Sequence, residues 1–172
     1  MSYNFLNKET SPQILVQAVK LIGTKEIVGV KHNPTILAWA KAIGLEKVYN
    51  ADEIPWCGLA MAYAAHMAKL DVPTNPLWAL NWNKFGTKVT EPMLGDILTF
   101  KRDGGGHVGL YVGEDINYYH VLGGNQSNMM CVTRIAKTRL NQARRTKWKV
   151  AQPAGVRKII LSSTGIISNN EA

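Results

Sequence analysis

Three short runs of apolar and β-branched residues lie within residues 96–122, whose sequence is DILTFKRDGGGHVGLYVGEDINYYHVL. Glycine-rich or polar connections at residues 101–106 and 113–117 separate these runs. Short β-forming runs joined by turn residues predict adjacent antiparallel strands. Two further runs, 130–135 and 156–161, extend the predicted sheet to about five strands.

The sequence before this region has a helical period. Apolar residues recur at helical spacing after Pro12 and after Pro34, and each series stops near a glycine. Residues 55–69 are rich in alanine and apolar on nearly all faces, which predicts a central, buried helix. A shorter helix is expected to carry Trp78 and Trp82. Helices followed by antiparallel strands predict the α+β class, with N-terminal helices packed on the sheet.

Length and composition predict one folded domain. The chain has 172 residues, of which 46% are hydrophobic and 19% charged, so disordered and collagen-like classes are excluded. We expect a single domain over residues 1–172, with its core within 12–161 and a flexible tail at 162–172. No apolar run reaches the roughly 18 residues of a membrane span, and we expect a monomer.

The net charge of +8 favours a polyanionic partner. Basic residues concentrate within 137–149, where Trp148 interrupts them, as in grooves that follow a phosphate backbone. A basic module that binds nucleic acid or an envelope polymer without catalysis is therefore the alternative function. The same basic residues could also form a solvated face, or a surface that helps an enzyme contact anionic envelope polymers. We favour the enzyme, with no nucleic acid as partner.

The two cysteines, Cys57 and Cys131, are too few for a disulfide framework and lack metal-ligand spacing. The N-terminal residues lack the basic and apolar regions of a secretory signal, so we expect synthesis in a cytoplasm and a free thiol at Cys57. Residues 50–53 could suggest calcium, but the acidic loop pattern is missing, and Asp52 is interpreted as a helix cap. We therefore expect no metal and no cofactor.

Cys57 is the candidate nucleophile because it stands at the start of the predicted buried helix. The unpaired N–H groups and the positive end of the helix dipole stabilise an anion there, which predicts a lowered pKa for the thiol. The same N–H groups could bind the oxyanion of a tetrahedral intermediate. A small buried core residue is the alternative interpretation.

His107 is the candidate base. It opens a predicted strand directly after a run of three glycines, where the bare backbone lets a substrate approach. An imidazole needs a third group to hold its tautomer, and Asn125, at the end of the neighbouring strand, can supply an oxygen. His120 is a rival for that role, and Gly-Gly-Asn can be turn chemistry alone. His32 and His66 are interpreted as structural.

Four motifs together resemble the NlpC/P60 and CHAP cysteine peptidases, which are papain-like peptidoglycan hydrolases. Short single-domain members from phages and prophages are the most similar, and the similarity spans roughly residues 12–135. The motifs are Pro55-Trp-Cys-Gly58, Gly95-Asp-Ile97 with Phe100, Gly106-His-Val-Gly-Leu-Tyr-Val-Gly113 and Gly123-Gly-Asn-Gln126. This resemblance implies the papain-like NlpC/P60 (CHAP) fold.

The resemblance also implies roles for individual residues. Cys57 is then the nucleophile, His107 the general base and then acid, and Asn125 the group that orients the imidazole. Typical CHAP sequences carry a glutamate at the position of Gly123, so Asn125 acts here without that carboxylate. The residues expected to contact substrate are Trp56, Trp82, Gly105, Gly106 and Gln126.

The implied function is hydrolysis of an amide bond in the peptide stem of bacterial peptidoglycan, without a cofactor. Amidase and endopeptidase activities both remain open. The setting implied most directly is a phage endolysin that is made in the host cytoplasm and acts on the cell wall after release. A tail-associated enzyme and a bacterial effector are the alternatives.

Overall fold

The computed structural model describes residues 3–102 and 104–169, and it has the predicted α+β class. The helices are α1 (Gln13–Val19), α2 (Pro34–Ala42) and α3 (Cys57–Met67), with 3-10 helices at Asn4–Asn7, Ala79–Lys84 and Lys137–Arg139. The strands are β1 (Thr87–Val89), β2 (Ile97–Arg102), β3 (Gly105–Glu114), β4 (Tyr118–Gly123), β5 (Cys131–Ala136) and β6 (Leu140–Arg145).

The strands form one antiparallel sheet in the order β1-β6-β2-β3-β4-β5. Strands β2 to β5 follow one another as the meander that the sequence predicts. The sheet of the described residues has six strands rather than about five, because β6 turns back to pair with β2 and is flanked by β1. The predicted strand 156–161 is wrong: Ile160 makes a single parallel bridge to Glu114.

Strand β6 was not predicted because it lies inside the basic run of residues 137–149. Only Ala143 of its six residues is fully buried, so the strand lacks a clear apolar alternation. Its arginines are used within the fold. Arg144 donates to the carbonyls of Phe85 and Gly86, and Arg145 forms an ion pair with buried Asp96 at 2.7 Å.

Helix α3 is the central helix, as predicted. Eight of its eleven residues are buried, so it packs on several sides at once. Gly58 is required at its first turn because a Cβ there would collide with the carbonyl oxygens of Pro76 and Leu77. The segment that contains Pro76 therefore passes directly over the start of α3 and forms part of the candidate site.

The hydrophobic core extends beyond the predicted limits. Leu6, before the expected start at residue 12, is 5% exposed and joins the core. Part of the expected flexible tail is attached to β5: the N–H of Arg134 donates to Ile166, and the N–H of Ser168 donates to Arg134. Residues 170–172 of that tail lie outside the described residues.

Candidate active site

Cys57 is the first residue of α3 and is 3% exposed. Its Sγ lies against the backbone N–H groups of Gly58 in α3 and Val108 in β3. The thiol is therefore held between the start of a helix and the strand that carries His107. Neither Cys57 nor Cys131 is disulfide-bonded, in agreement with the prediction of a free thiol.

Burial raises the pKa of Cys57, so the predicted lowering is wrong. The N–H groups of Val108 and Gly58 and the charge of Arg102 lower the pKa, but they do not offset the loss of solvent around the sulfur. The helix terminus is visible in the sequence, whereas the atoms that exclude water from the sulfur come from tertiary packing. Without substrate, the thiol is therefore the stable form at neutral pH.

His107 is the third residue of β3 rather than the first residue of a strand, because pairing with β2 continues to Gly105. The side chain is completely buried, and its ring stacks on that of Phe100, the cross-strand partner, with centroids 6.3 Å apart. This packing fixes the plane of the imidazole beside Val108, whose N–H contacts the sulfur.

Gln126 holds the imidazole by a hydrogen bond. Its Oε1 lies 3.1 Å from Nε2 of His107. The Gln126 amide nitrogen donates to the carbonyls of Val121 and Cys131, so the amide orientation follows from the surrounding network. Oε1 must then accept, which places the proton of a neutral His107 on Nε2 and leaves Nδ1 as its basic nitrogen.

Asn125 is adjacent to this bond but does not make it. Its Oδ1 is buried and has no hydrogen-bond partner among the described residues. Its backbone is left-handed, with φ of 58°, as the turn between β4 and β5 requires. The residue that the sequence analysis assigned to substrate, Gln126, therefore occupies the position expected for Asn125.

His120, the rival for that position, belongs to a different cluster. Its Nε2 lies 3.1 Å from Oδ2 of Asp115, and its Nδ1 lies 2.8 Å from the hydroxyl of Tyr3. The same Asp115 oxygen accepts from Nε of Arg134 at 2.8 Å. Burial alone would raise the pKa of Asp115, but the hydrogen bonds from Arg134, the Asn117 N–H and His120 outweigh it and lower the pKa to about 2.

A cavity of about 620 Å³ opens beside Cys57. Its walls come from three parts of the chain: the segment before α3, the segment 75–79 and the turn between β2 and β3. The described residues that line it are Leu45, Val48, Ile54, Pro55, Cys57, Asn75, Pro76, Leu77, Trp78, Ala79, Arg102, Gly104, Gly105 and Gly106.

Gln126 bonds to His107, and the other four expected substrate contacts divide into two groups. Gly105 and Gly106 line the cavity, as do the nucleophile and Arg102. Trp56 and Trp82 are completely buried instead. The indole N–H of Trp82 donates to the carbonyl of Pro76 in the cavity wall, and that of Trp56 donates to Glu26; neither ring is among the described residues that line the cavity.

Trp78 and Arg102 line the cavity and were missed as candidates. Trp78 is 73% exposed, and its position within Pro76-Leu-Trp78, beside the start of α3, was not visible from spacing alone. Arg102 precedes the glycine run, which is the one sequence signal that could have pointed to it. His66, read as structural, lines a separate apolar cavity of about 200 Å³.

Asp52 is not the N-cap residue of any helix in the described residues, so the interpretation of Asp52 as a helix cap is wrong. Its carboxylate accepts the backbone N–H groups of Ile27 and Asn33 and lies 3.0 Å from Nδ1 of His32. It thus ties the loop before α2 to the segment before α3. In residues 3–102 and 104–169, no three or more His, Cys, Asp or Glu side chains are grouped to hold a metal ion.

Compared with protein-family models and with curated protein sequences, the chain matches none. Within the part of the chain that the structure describes, no helix has the length and apolar character needed to cross a bilayer.

Proposed function

We propose that this protein is a cysteine-dependent hydrolase that cleaves an amide bond in the peptide stem of bacterial peptidoglycan. The observation that carries the proposal is the hydrogen bond between Gln126 and His107. The residue after His107 on the same strand is Val108, whose N–H contacts the sulfur of Cys57. A thiol, a tautomer-fixed imidazole and an adjoining cavity are what nucleophilic amide hydrolysis requires.

The proposed chemistry begins with the neutral thiol. Nδ1 of His107 accepts the thiol proton as the sulfur attacks the carbonyl carbon of the scissile amide, so a carbon–sulfur bond forms. The resulting imidazolium then protonates the leaving amine as the carbon–nitrogen bond breaks. Water, deprotonated by the same imidazole, hydrolyses the thioester, and the thiol is recovered.

Backbone N–H groups are suited to stabilise the charge that develops on the carbonyl oxygen. The N–H groups of Cys57, Gly58 and Val108 all act on the sulfur. The sulfur that they contact belongs to a side chain that is only 3% exposed, and hydrogen bonds to an oxyanion are strongest where little water is present. The three N–H groups are held by α3 and β3, so they need no rearrangement during the reaction.

The choice of peptidoglycan rests on the resemblance to the NlpC/P60 and CHAP peptidases and on the net charge of +8. A cationic protein is attracted to an anionic cell envelope. We propose the same papain-like fold for this chain, and a phage endolysin made in the host cytoplasm as its setting.

The alternative of a basic nucleic-acid-binding module is less well supported. Arg144 and Arg145, at the centre of the basic run, are bonded within the fold. The indole N–H of Trp148 donates to Gln152 at 3.2 Å. The proposed function also accounts for Cys57 and His107, which a binding module does not need.

Loss of turbidity of outer-membrane-permeabilised bacteria tests the proposal directly. We expect the wild type and Cys131→Ala to lyse the cells and Cys57→Ala to be inert, with the three proteins giving the same circular dichroism spectrum. Mass spectrometry of the released muropeptides then identifies the amide that is cut. A wild type no more active than Cys57→Ala, on cells and on purified peptidoglycan, would exclude the proposed function.

A further inference from the structure

Trp78 presents most of its surface to solvent, unlike the other tryptophans of the protein. It is 73% exposed, and it lines the cavity that holds Cys57. The other four tryptophans are buried or half-buried: Trp39, Trp56, Trp82 and Trp148. An exposed indole forgoes the large free energy that burial of an aromatic side chain supplies. A ligand of the cavity that covers this ring would therefore gain that free energy on binding.

The segment that carries Trp78 is ordered on both sides of the ring. The N–H of Trp78 donates to the carbonyl of Asn75 at 3.2 Å, and its carbonyl accepts the N–H of Asn81 at 3.0 Å. The side-chain amide of Asn81 also donates to Asn75, at 3.0 Å, and the indole of Trp82 donates to Pro76 at 2.9 Å. An aromatic side chain on a segment that is already ordered binds without the entropy cost of fixing a loop.

Another wall of the cavity, the turn between β2 and β3, is bare backbone. A Cβ at Gly104 or Gly105 would meet no atom within 4 Å, so these peptide groups border open space. Leu80, two residues after Trp78, packs on Gly106 in the same turn, where a Cβ would lie 2.7 Å from the Leu80 side chain. The aromatic wall and the peptide wall are therefore packed together through Leu80.

A ligand that suits both walls has an apolar face and a polar edge. The pyranose ring of an amino sugar has this shape, because its C–H groups form the faces while its hydroxyl and N-acetyl groups lie around the edge. The negative face of an indole attracts the C–H groups, and free peptide groups can hydrogen-bond the polar edge. The side chains of a stem peptide, which are methyl groups or flexible charged chains, have no flat apolar face.

We propose that Trp78 stacks on the amino-sugar ring that carries the peptide stem, and that the amide cut is the one that joins the stem to the lactyl group of this sugar. The inference rests on the proposed function and decides between its amidase and endopeptidase forms. The ring and the attacking sulfur share one cavity of about 620 Å³, so the scissile carbonyl lies a few bonds from the sugar. Each residue farther along the stem would add roughly 3.3–3.6 Å to that separation.

The test compares two synthetic substrates that share the scissile amide: an N-acetylmuramoyl tripeptide, and the same tripeptide acylated with lactic acid alone. We expect the wild type to have a kcat/KM about 10-fold higher for the sugar-bearing substrate, mainly through KM, because a stacked ring contributes equally to ground-state and transition-state binding. Trp78→Ala should abolish this preference, and Trp78→Phe should keep part of it. Mass spectrometry should show release of the intact tripeptide.

Trp148→Ala is the matched control. It removes the same type of side chain from a half-buried position that is not among the described residues lining the cavity. The preference for the sugar-bearing substrate should persist in this variant. Because the readout is a ratio between two substrates, a general effect of either variant on folding or on the thiol does not move it.

Equal kcat/KM for the two substrates in the wild type, or cleavage inside the tripeptide, would overturn the inference while leaving the proposed function in place. A wild-type preference that survives in Trp78→Ala would also overturn it. If neither substrate is cleaved, calorimetric binding to Cys57→Ala decides: tighter binding of the sugar-bearing substrate, lost in the double variant with Trp78→Ala, supports the inference. Equal or undetectable binding of both substrates overturns it.

Discussion

The side-chain oxygen of Gln126 lies 3.1 Å from Nε2 of His107, and both groups are buried. The bond links the turn after β4 to β3, and the donor and acceptor roles follow from the two carbonyls that receive the Gln126 amide hydrogens.

Gln126→Ala should reduce turnover by about 100-fold or more, because the imidazole loses the acceptor that holds its tautomer. Asn125→Ala should have a much smaller effect, since no side-chain hydrogen bond from Asn125 to the imidazole is present. Gln126→Glu should retain more activity than alanine and move the pH profile of kcat upward, as a carboxylate stabilises the imidazolium. Steady-state kinetics over pH checks this. A large loss in Asn125→Ala beside a normal Gln126→Ala would reverse the assignment.

Gly123→Ala should lower kcat while the protein remains folded. A Cβ at this position would lie 3.0 Å from Nε2 of His107 and 3.1 Å from Oε1 of Gln126, so these groups must shift by a few tenths of an ångström and the hydrogen bond between them is disturbed. For the same reason, Gly123→Glu should not restore activity to Asn125→Ala. Gly104→Ala, which meets no atom within 4 Å, is a control for the change of residue type, although its backbone is left-handed. A wild-type kcat in Gly123→Ala would show that the hydrogen bond between His107 and Gln126 tolerates the added methyl group, and it would contradict this prediction.

Alkylation of Cys57 by iodoacetamide should be slow at neutral pH and rise only at a pH above that at which an ordinary cysteine thiol ionises, because burial raises the pKa of the thiol. The sign follows from the form that reacts: below its raised pKa the sulfur is protonated and poorly nucleophilic. The measurement is made on the Cys131→Ala variant, so that Cys57 is the only cysteine that can be alkylated. Rapid labelling at pH 6 would instead indicate a thiolate paired with an imidazolium.

Cys131→Ala should itself be nearly neutral for turnover. The Cys131 thiol makes one weak contact, to the carbonyl of Gln126 at 3.4 Å, whereas its own carbonyl receives the Gln126 amide hydrogen. Alanine keeps that carbonyl and the strand pairing. Urea unfolding and peptidoglycan release measured on the same preparation check the expectation, and a loss of activity comparable with that of Cys57→Ala would contradict it.

Asp115→Asn should destabilise the fold by about 3 kcal/mol at pH 7, because it leaves buried Arg134 without its ion-pair partner. The folded-state pKa of Asp115, about 2, lies below the unfolded reference value of 3.8. The stabilisation is therefore present above pH 3.8 and is lost as the pH falls through 2. The stabilities of the variant and the wild type, measured by urea unfolding, should converge over that range. A constant difference down to pH 2 would contradict the assignment.

Local pattern predicted the elements that carry the candidate site. The proline and glycine boundaries placed α1 and α2, and the all-round apolar character of residues 55–69 predicted that α3 is buried. The meander β2 to β5 followed from short apolar runs between turn residues. Cys57 at a helix start and His107 on a neighbouring strand were both accessible from sequence because each depends on one element and its boundary.

Contacts between distant segments decided the rest. The sequence favoured Asn125 over Gln126 because it could not tell which of two adjacent amides turns inward; the carbonyls of Val121 and Cys131 select Gln126. It predicted a lowered pKa for Cys57 because a helix terminus is local, whereas the burial that raises the pKa comes from packing across α3 and the sheet. The sequence by itself determined which chemical groups the site contains. Tertiary packing determined the protonation of these groups, their hydrogen-bond partners and the position of Arg102 in the cavity. These properties depend on distances between segments that are far apart in sequence, which no local pattern encodes.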